Sequence, residues 1–508
     1  MERQSIDSAL TIQELITMRG TESADRIAYA AGREGGVLRY RDLARQSAVW
    51  TVQLTAGGVG PGHRAGVLTG DPLAFAGAYL SLVAGGITVV PLNPESTAED
   101  ARAQLALLRV DLLLTDREDL SHLPCPVWRL HGGTLQPGDG PQGPPPGGPA
   151  PAVLLTSSGT SGTPKVVPLT ERQLLYVAQR IVVHHGLGPL DRGYSPLPLF
   201  HVNAQVVGLI STLVAGSSLV IDRKFRRTGF WELLDSWGVT WCNTVPAILA
   251  ILADSPAPDA RTVARLRFAR TASAPLPAAV QSRFESRSGV SVLETYGMSE
   301  AASQITANPL PGSERRQGSV GLPVGVLVRV VDEQRRTCEP GEVGSIEIRG
   351  PSVIHEYVMP GPDEHRRPAR TADGWLVTGD IGYQSADGFL THTGRADDVI
   401  NRGGEKVYPR EIEEVLRSHA SVVEAAAVGQ ADQILGECPV AYVVARAGAD
   451  PAGLAAELQS LCADRLVRAK RPARLAVVDT LPKGPTGKVS RRRLADARAI
   501  TEVPARAS

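Results

Sequence analysis

Helix-type periodicity and short β-branched runs take turns along the first hundred residues, and this alternation restricts the fold more than any other feature. Leu43 to Ala56 is helical in pattern, Arg64 to Leu68 reads as a short strand, and Leu73 to Ala84 is helical again. Ile87 to Leu92 is strand-like and stops at the turn Asn93-Pro94. Strands separated by helices cannot join as hairpins, so α/β layers with largely parallel strands are expected. Residues 136–151 are almost entirely Pro, Gly and polar, which predicts a surface loop.

The pattern changes further on. Residues 326–350 hold two runs, VLVRVVDE and GSIEIRG, that alternate apolar and polar positions around the turn Glu339-Pro340-Gly341. Such alternation predicts a β-rich subdomain. Beyond about residue 396 a compact α/β stretch follows. Tyr408-Pro409 opens a helix with proline at its first position, and Glu411, Glu413 and Glu414 sit near the positive end of its dipole. Ile412, Val415 and Leu416 share one face of it. At 508 residues the chain exceeds one compact domain, and two or three are expected.

Charge excludes some functions. Lys plus Arg and Asp plus Glu are balanced at 53 each, so no general attraction to nucleic acid or to an anionic membrane is expected. The five cysteines are scattered without a CxxC pair, which argues against a disulfide framework or a zinc site and fits a reducing cytoplasm. The N-terminus lacks a secretory pattern, and the apolar stretch Leu73 to Val90 is interrupted by Gly77, Gly85 and Gly86. A cytoplasmic protein without membrane spans is the expectation.

The densest chemical signal is Thr156-Ser-Ser-Gly-Thr-Ser-Gly-Thr-Pro-Lys165, directly after the apolar run Ala152 to Leu155. Glycines let backbone amides close around an anion, and the hydroxyls of Ser157, Ser158, Thr160 and Ser161 add donors beside Gly159. Lys165 brings a point charge suited to phosphate. The spacing is not that of a Walker A loop. A solvated Ser/Thr/Gly turn would carry similar residues, so the loop alone decides little. Further along come Tyr296-Gly-Met-Ser-Glu300, Thr378-Gly-Asp380, Gly394-Arg-Ala-Asp-Asp398, Asn401-Arg-Gly-Gly-Glu-Lys-Val-Tyr-Pro409 and Pro482-Lys-Gly-Pro-Thr-Gly-Lys488. Each alone has a bland explanation as a turn or a solvated charge.

Taken in order, these segments resemble the acyl-adenylate-forming superfamily of acyl-CoA synthetases, stand-alone adenylation domains and luciferase-type enzymes. The resemblance spans nearly the whole chain. It implies a large N-terminal adenylation domain, residues 1–396, of layered α/β subdomains plus a β-rich one. A small mobile α+β lid, residues 397–508, would follow. It also implies ATP, Mg²⁺ and a small carboxylic acid as reactants, with coenzyme A or a carrier-protein phosphopantetheine as acceptor. A monomer or homodimer is expected.

Residue by residue, the resemblance gives Glu300 and Thr160 to Mg²⁺, and Lys488 to the carboxylate and phosphate oxygens in the transition state. Asp380 would accept from the ribose hydroxyls, Arg395 would brace sugar and phosphate, and Ser299 would donate to the α-phosphate. Ser273, Ala274 and Pro275 on one side, with Glu294, Tyr296, Gly297 and Met298 on the other, would sandwich adenine. His201 would gate the acyl pocket. Asp397 maps onto the hinge. Gly403 and Gly404 would let the pantetheine arm pass close to backbone, and Lys406, Lys470 and Arg471 would meet coenzyme A phosphates.

By the same analogy the acid sits among Val202, Asn203, Val207, Thr244, Ser273, Gly297, Met298, Ala302 and Ser303. These positions show no buried cation. A small or medium acid, aromatic ones included, is therefore expected in preference to a dianion. Rival functions are carrier-protein loading, nitrite activation for attack by an aryl amine, and a catalytically silent nucleotide sensor.

Overall fold

The computed structural model describes residues 10–141, 143–145, 150–157, 165–361, 364–483, 489–496 and 499–504. The expected elements form close to where their patterns place them. Tyr40–Ala56 and Pro72–Ala84 are helices, and Arg64–Leu68 and Thr88–Pro91 are strands. The second helix starts cleanly because Asp71 accepts from the amides of Leu73 and Ala74, with Pro72 in the first turn.

Two nine-stranded sheets make up the large body. In the first, Val292–Met298, Phe268–Thr271, Trp241–Thr244, Arg192–Ser195, Ser218–Ile221 and Ile27–Ala31 run parallel. Antiparallel strands close both of its edges, Ser303–Ala307 with Leu322–Pro323 on one side and Val37–Arg39 on the other. In the second, five strands from Val153–Ser157 to Val127–His131 are parallel, and Lys165–Leu169, Glu356–Met359 and His365–Pro368 extend one edge antiparallel. One apolar core runs from sheet to sheet through Phe75, Tyr79, Leu82, Leu174 and Ile181 of the helices between them. Burial on both faces explains the nearly continuous apolar runs of these strands.

Residues 327–395 build the expected β-rich part, an antiparallel sheet of four strands ordered Leu327–Val331, Gly344–Arg349, Leu376–Gln384 and Leu390–Arg395. From Ile400 onward the chain forms a separate six-stranded sheet covered by the helices Pro409–Arg417 and Pro451–Arg465. This sheet has its own core around Ile412, Leu416, Val443, Leu458 and Val477. Proline at the first position of Pro409–Arg417 behaves as expected.

The first residues of the Pro/Gly stretch are tied to the sheet. Gln136 still belongs to the strand Thr134–Gln136, and Asp139 accepts from the Trp128 indole at 2.9 Å.

Candidate active site

Three of the described motif segments, around Tyr296, Glu300 and Asp380, come together where strands of three sheets meet. In the four-stranded sheet, Asp380 and Arg395 are direct cross-strand partners. Arg395 Nη1 lies 3.0 Å from Asp380 Oδ1, and His392 Nε2 approaches the same oxygen at 3.4 Å. From the first nine-stranded sheet, the Tyr296 phenol donates to Asp380 Oδ2 at 2.5 Å. Gly379 allows this crowding: its φ is +75°, and a Cβ there would stand 2.9 Å from Arg395 Nη2. Burial works against the Asp380 carboxylate, but the bonds from His392, Arg395 and Tyr296 outweigh it and hold its pKa below the ordinary range. The Tyr296 hydroxyl, in turn, is pushed far up by burial and by the adjacent carboxylate.

Glu300 follows in the single turn Ser299–Ala301. Its Oε1 accepts from the Tyr357 hydroxyl at 3.3 Å, and Tyr357 belongs to the second nine-stranded sheet. Lys165, on the neighbouring strand, sets its ammonium 5.4 Å from the Tyr357 ring centre. Burial raises the Glu300 pKa despite this hydroxyl and the Arg395 charge. A carboxylate so disfavoured gains most from a bound cation, so Glu300 fits the Mg²⁺ role. Among the described residues no cluster of three or more His, Cys, Asp or Glu side chains could hold a metal by itself. Glu300 would therefore hold the metal together with its substrate, and the metal would supply charge neutralisation there.

The two segments assigned to adenine follow from, or lie on, adjacent parallel strands. Ser273, Ala274 and Pro275 are exposed, as is Gly297 on the neighbouring strand. Ser273 has φ +74°, and Ala302 and Ser303 have φ +54° and +105°. Backbone strain of this kind persists only where surroundings enforce it, and here it concentrates on positions expected to shape the acyl pocket. Gly297 is obligatory in that wall, because a Cβ would fall 1.6 Å from the Ser303 carbonyl oxygen. Glu294, 3% exposed, is lifted by burial to about 7, partly offset by the Arg410 charge and the Leu276 amide.

The acyl pocket departs from expectation. The His201 ring lies tilted at 48° against Phe200, and Asn203 leads into a stretch of π-helix, Ala204–Ile210, a local geometry common at functional sites. Asn203 Nδ2 contacts Ser273 Oγ at 3.4 Å. Directly against Asn203 lies a buried cation that the sequence reading missed. Arg270 Nη1 bonds Asn243 Oδ1 at 2.9 Å and Asn203 Oδ1 at 3.3 Å, and its Nη2 bonds Gln304 Oε1 at 3.3 Å. Beside Asn203, then, stands basic character where the sequence reading expected none. The Thr244 hydroxyl is spent on the Arg270 carbonyl at 2.8 Å. Burial lowers the Arg270 pKa only to about 9, so it stays charged at neutral pH. A signal was available: a charge in Phe268-Ala-Arg-Thr271, a strand buried on both faces, has to serve something inside.

Other expected residues lie apart from the cleft or outside the described residues. Ser158, Gly159, Thr160, Ser161 and Lys488 are outside them, as is the side chain of Ser157. Gly403 and Gly404 form the hairpin turn between Ile400–Arg402 and Glu405–Val407, both at positive φ. Lys406 pairs with Glu333 of the four-stranded region at 2.6 Å, and Lys470 pairs with Glu411 at 2.6 Å. Arg471 bonds the carbonyls of Leu466 and Ala463.

Residues 17–358 match the AMP-binding enzyme family, and residues 411–488 match the C-terminal domain of AMP-binding enzymes. The chain belongs to the AMP-binding enzyme family. It is 38% identical to the sulfoacetate–CoA ligase of Cupriavidus necator, over 95% of this chain and 97% of that one. It is 33% identical to the oxalate–CoA ligase of Arabidopsis thaliana, over 89% and 91%. Its fold superimposes on the O-succinylbenzoate coenzyme A synthetase of Bacillus subtilis in complex with ATP and magnesium ion, with a TM-score of 0.80, 27% identity, and coverage of 95% and 99%. This AMP-binding enzyme is accordingly an AMP-forming acid–CoA ligase. It activates a carboxylic acid with ATP and Mg²⁺ as an acyl adenylate and passes the acyl group to coenzyme A. Among the described residues no helix is long and apolar enough to cross a membrane.

Proposed function

We propose that the cleft between the three sheets is where this AMP-binding enzyme makes its acyl adenylate, and that its acid is small. The observation that carries this is the convergence of Asp380, Arg395, Tyr296, Glu300, Tyr357 and Lys165 from separate sheets onto one place. The mixed charges suit a nucleotide. Asp380 accepts from ribose hydroxyls, Arg395 neutralises phosphate, and the Tyr296 ring offers a face to adenine. Glu300 would hold Mg²⁺, which supplies charge neutralisation to the phosphate oxygens when bound. Thr160, with Ser157, Ser158, Gly159, Ser161 and Lys165, would cradle the leaving pyrophosphate, and Ser299 would donate to the α-phosphate. Lys488 is assigned to the developing charge between carboxylate and phosphorus. Nucleophilic attack by the acid's carboxylate oxygen forms the acyl–phosphate bond as the bond to pyrophosphate breaks.

His201 and Asn203 bound the acyl side. Several pocket positions carry small, mildly polar side chains (Ser273, Gly297, Ala302, Ser303), so they set no size limit of their own. The small-acid assignment is supported by the relatives named for sulfoacetate and oxalate, which act on small acids.

The second half-reaction needs coenzyme A where Lys488 stood. Residues 397–508 would rotate against residues 1–396 about Asp397, bringing the Gly403–Gly404 turn to the cleft. The separate core of the C-terminal sheet supports motion as a unit. Lys406, released from Glu333, would then be available to coenzyme A phosphate.

Acid-dependent ATP–pyrophosphate exchange over a panel of two- to eight-carbon acids tests the proposal. Small acids should support exchange, and Glu300→Gln should reduce it about 100-fold, partly restored by raised Mg²⁺. Exchange only with the longest acids would refute the small-acid assignment. Unchanged exchange in Glu300→Gln would refute the metal role.

A further inference from the structure

Three arginines are buried among the described residues: Arg64, Arg270 and Arg410. Arg64 is held by both carboxylate oxygens of Glu364, at 2.7 and 2.6 Å, and Arg410 by Glu414 at 2.8 Å. Arg270 differs. It is 1% exposed, and its hydrogen-bond partners are the neutral amide oxygens of Asn203, Asn243 and Gln304. Among the described residues no carboxylate bonds to it. A buried cation without a countercharge is costly, and neutral dipoles offset only part of that cost.

The cluster also holds donors in reserve. Arg270 Nε and Gln304 Nε2 are both buried and without a hydrogen-bond partner. Buried donors left unmatched call for a partner, and a ligand or an ordered water can supply one. All acceptors in the cluster are already turned onto Arg270 or Asn243, so what is missing is an acceptor carrying negative charge. The cluster is joined to the acyl pocket through Asn203, whose Nδ2 reaches Ser273 Oγ.

We propose that Arg270, with Asn203, Asn243 and Gln304, binds a second anionic group on the acid. The substrate class is then small acids bearing a carboxylate or sulfonate in addition to the carboxylate that becomes the adenylate. This rests on the proposed assignment of Asn203 and Ser273 to the acyl pocket. The second oxyanion takes the free Nε–H and the Gln304 amide and supplies the charge that Arg270 lacks. A monoacid of equal size leaves the guanidinium buried and uncompensated, so the site discriminates against it.

Two measurements test the proposal. Exchange assays compare oxalate, malonate, succinate and sulfoacetate with acetate, propionate and butyrate. Calorimetric titration of the same acids into the ATP-loaded protein reads binding independently of chemistry. At least one dianion should exceed every monoacid by about 100-fold in kcat/KM, and a preference between malonate and sulfoacetate separates carboxylate from sulfonate recognition. Arg270→Met should lose about 100-fold more for that dianion than for any monoacid. Gln304→Glu, which places a carboxylate beside Arg270, should cause the same selective loss with the cation still paired. ATP affinity, measured in the same samples, reports whether each variant is folded. Dianion binding without exchange keeps the anion site and overturns the adenylation assignment. Preference for monoacids, equal loss for all acids in both variants, or no dianion binding at all would overturn the anion site.

Discussion

Tyr296 and Asp380 come from different sheets, yet the Tyr296 phenol donates to Asp380 Oδ2 at 2.5 Å. The bond ties the adenine-facing strand to the carboxylate assigned to ribose. It also fixes the carboxylate's orientation, because Arg395 and His392 share the other oxygen. Substituting Asp380→Asn removes a charged acceptor from all three partners. The KM for ATP should rise about 10- to 100-fold, with coenzyme A affinity unchanged. Tyr296→Phe keeps the ring face and loses one hydrogen bond, so the ATP KM should move less than about tenfold. Pyrophosphate exchange at varied ATP gives both values. A larger effect from Tyr296→Phe than from Asp380→Asn would reverse the assigned roles.

The two half-reactions should separate genetically. Lys488→Ala should abolish adenylate formation, by about 1,000-fold, while retaining thioester formation from pre-made acyl adenylate. Asp397→Pro, which fixes φ at the hinge, should do the opposite and stall only transfer to coenzyme A. Rapid-quench assays of each step in both variants check this. Equal loss of both steps in Lys488→Ala would contradict the division.

Glu294 should make stability depend on pH. Its carboxyl is raised from 4.5 to about 7 in the folded protein, chiefly by burial. The native state then holds a proton that the unfolded chain releases between those values. That stabilisation is full below about pH 4.5 and is lost as pH rises through 7, at a cost of up to about 3 kcal/mol. Glu294→Gln imitates the protonated form. Its melting temperature should match the wild type near pH 5 and exceed it by several degrees at pH 8, as scanning fluorimetry would show. A constant difference across that range would assign the carboxyl another role.

Much of the fold was legible because its signals are local. The strand Arg64–Leu68 and the helix Pro409–Arg417 follow from patterning and a first-turn proline, which act over neighbouring residues. The Thr-Gly-Asp segment was legible for a similar reason, since the glycine conformation and the Thr378 hydroxyl that accepts from the Asp380 amide are contained within three residues. The partners of Lys406 and Lys470 were not legible. Glu333 is 73 residues from Lys406, and no pattern links them.

Sequence alone pointed to ATP binding and adenylate formation, because short contiguous motifs, each bland by itself, fall in the order of the acyl-adenylate-forming superfamily that they resemble. The tertiary structure alone decided what stands beside Asn203, a residue assigned to the acyl pocket. Arg270 meets Asn243, Gln304 and Asn203 across 27, 34 and 67 residues. Each sits on a separate element, and only the packing of adjacent strands against the π-helical turn strips the guanidinium of water. Its charge then becomes a requirement on whatever binds there.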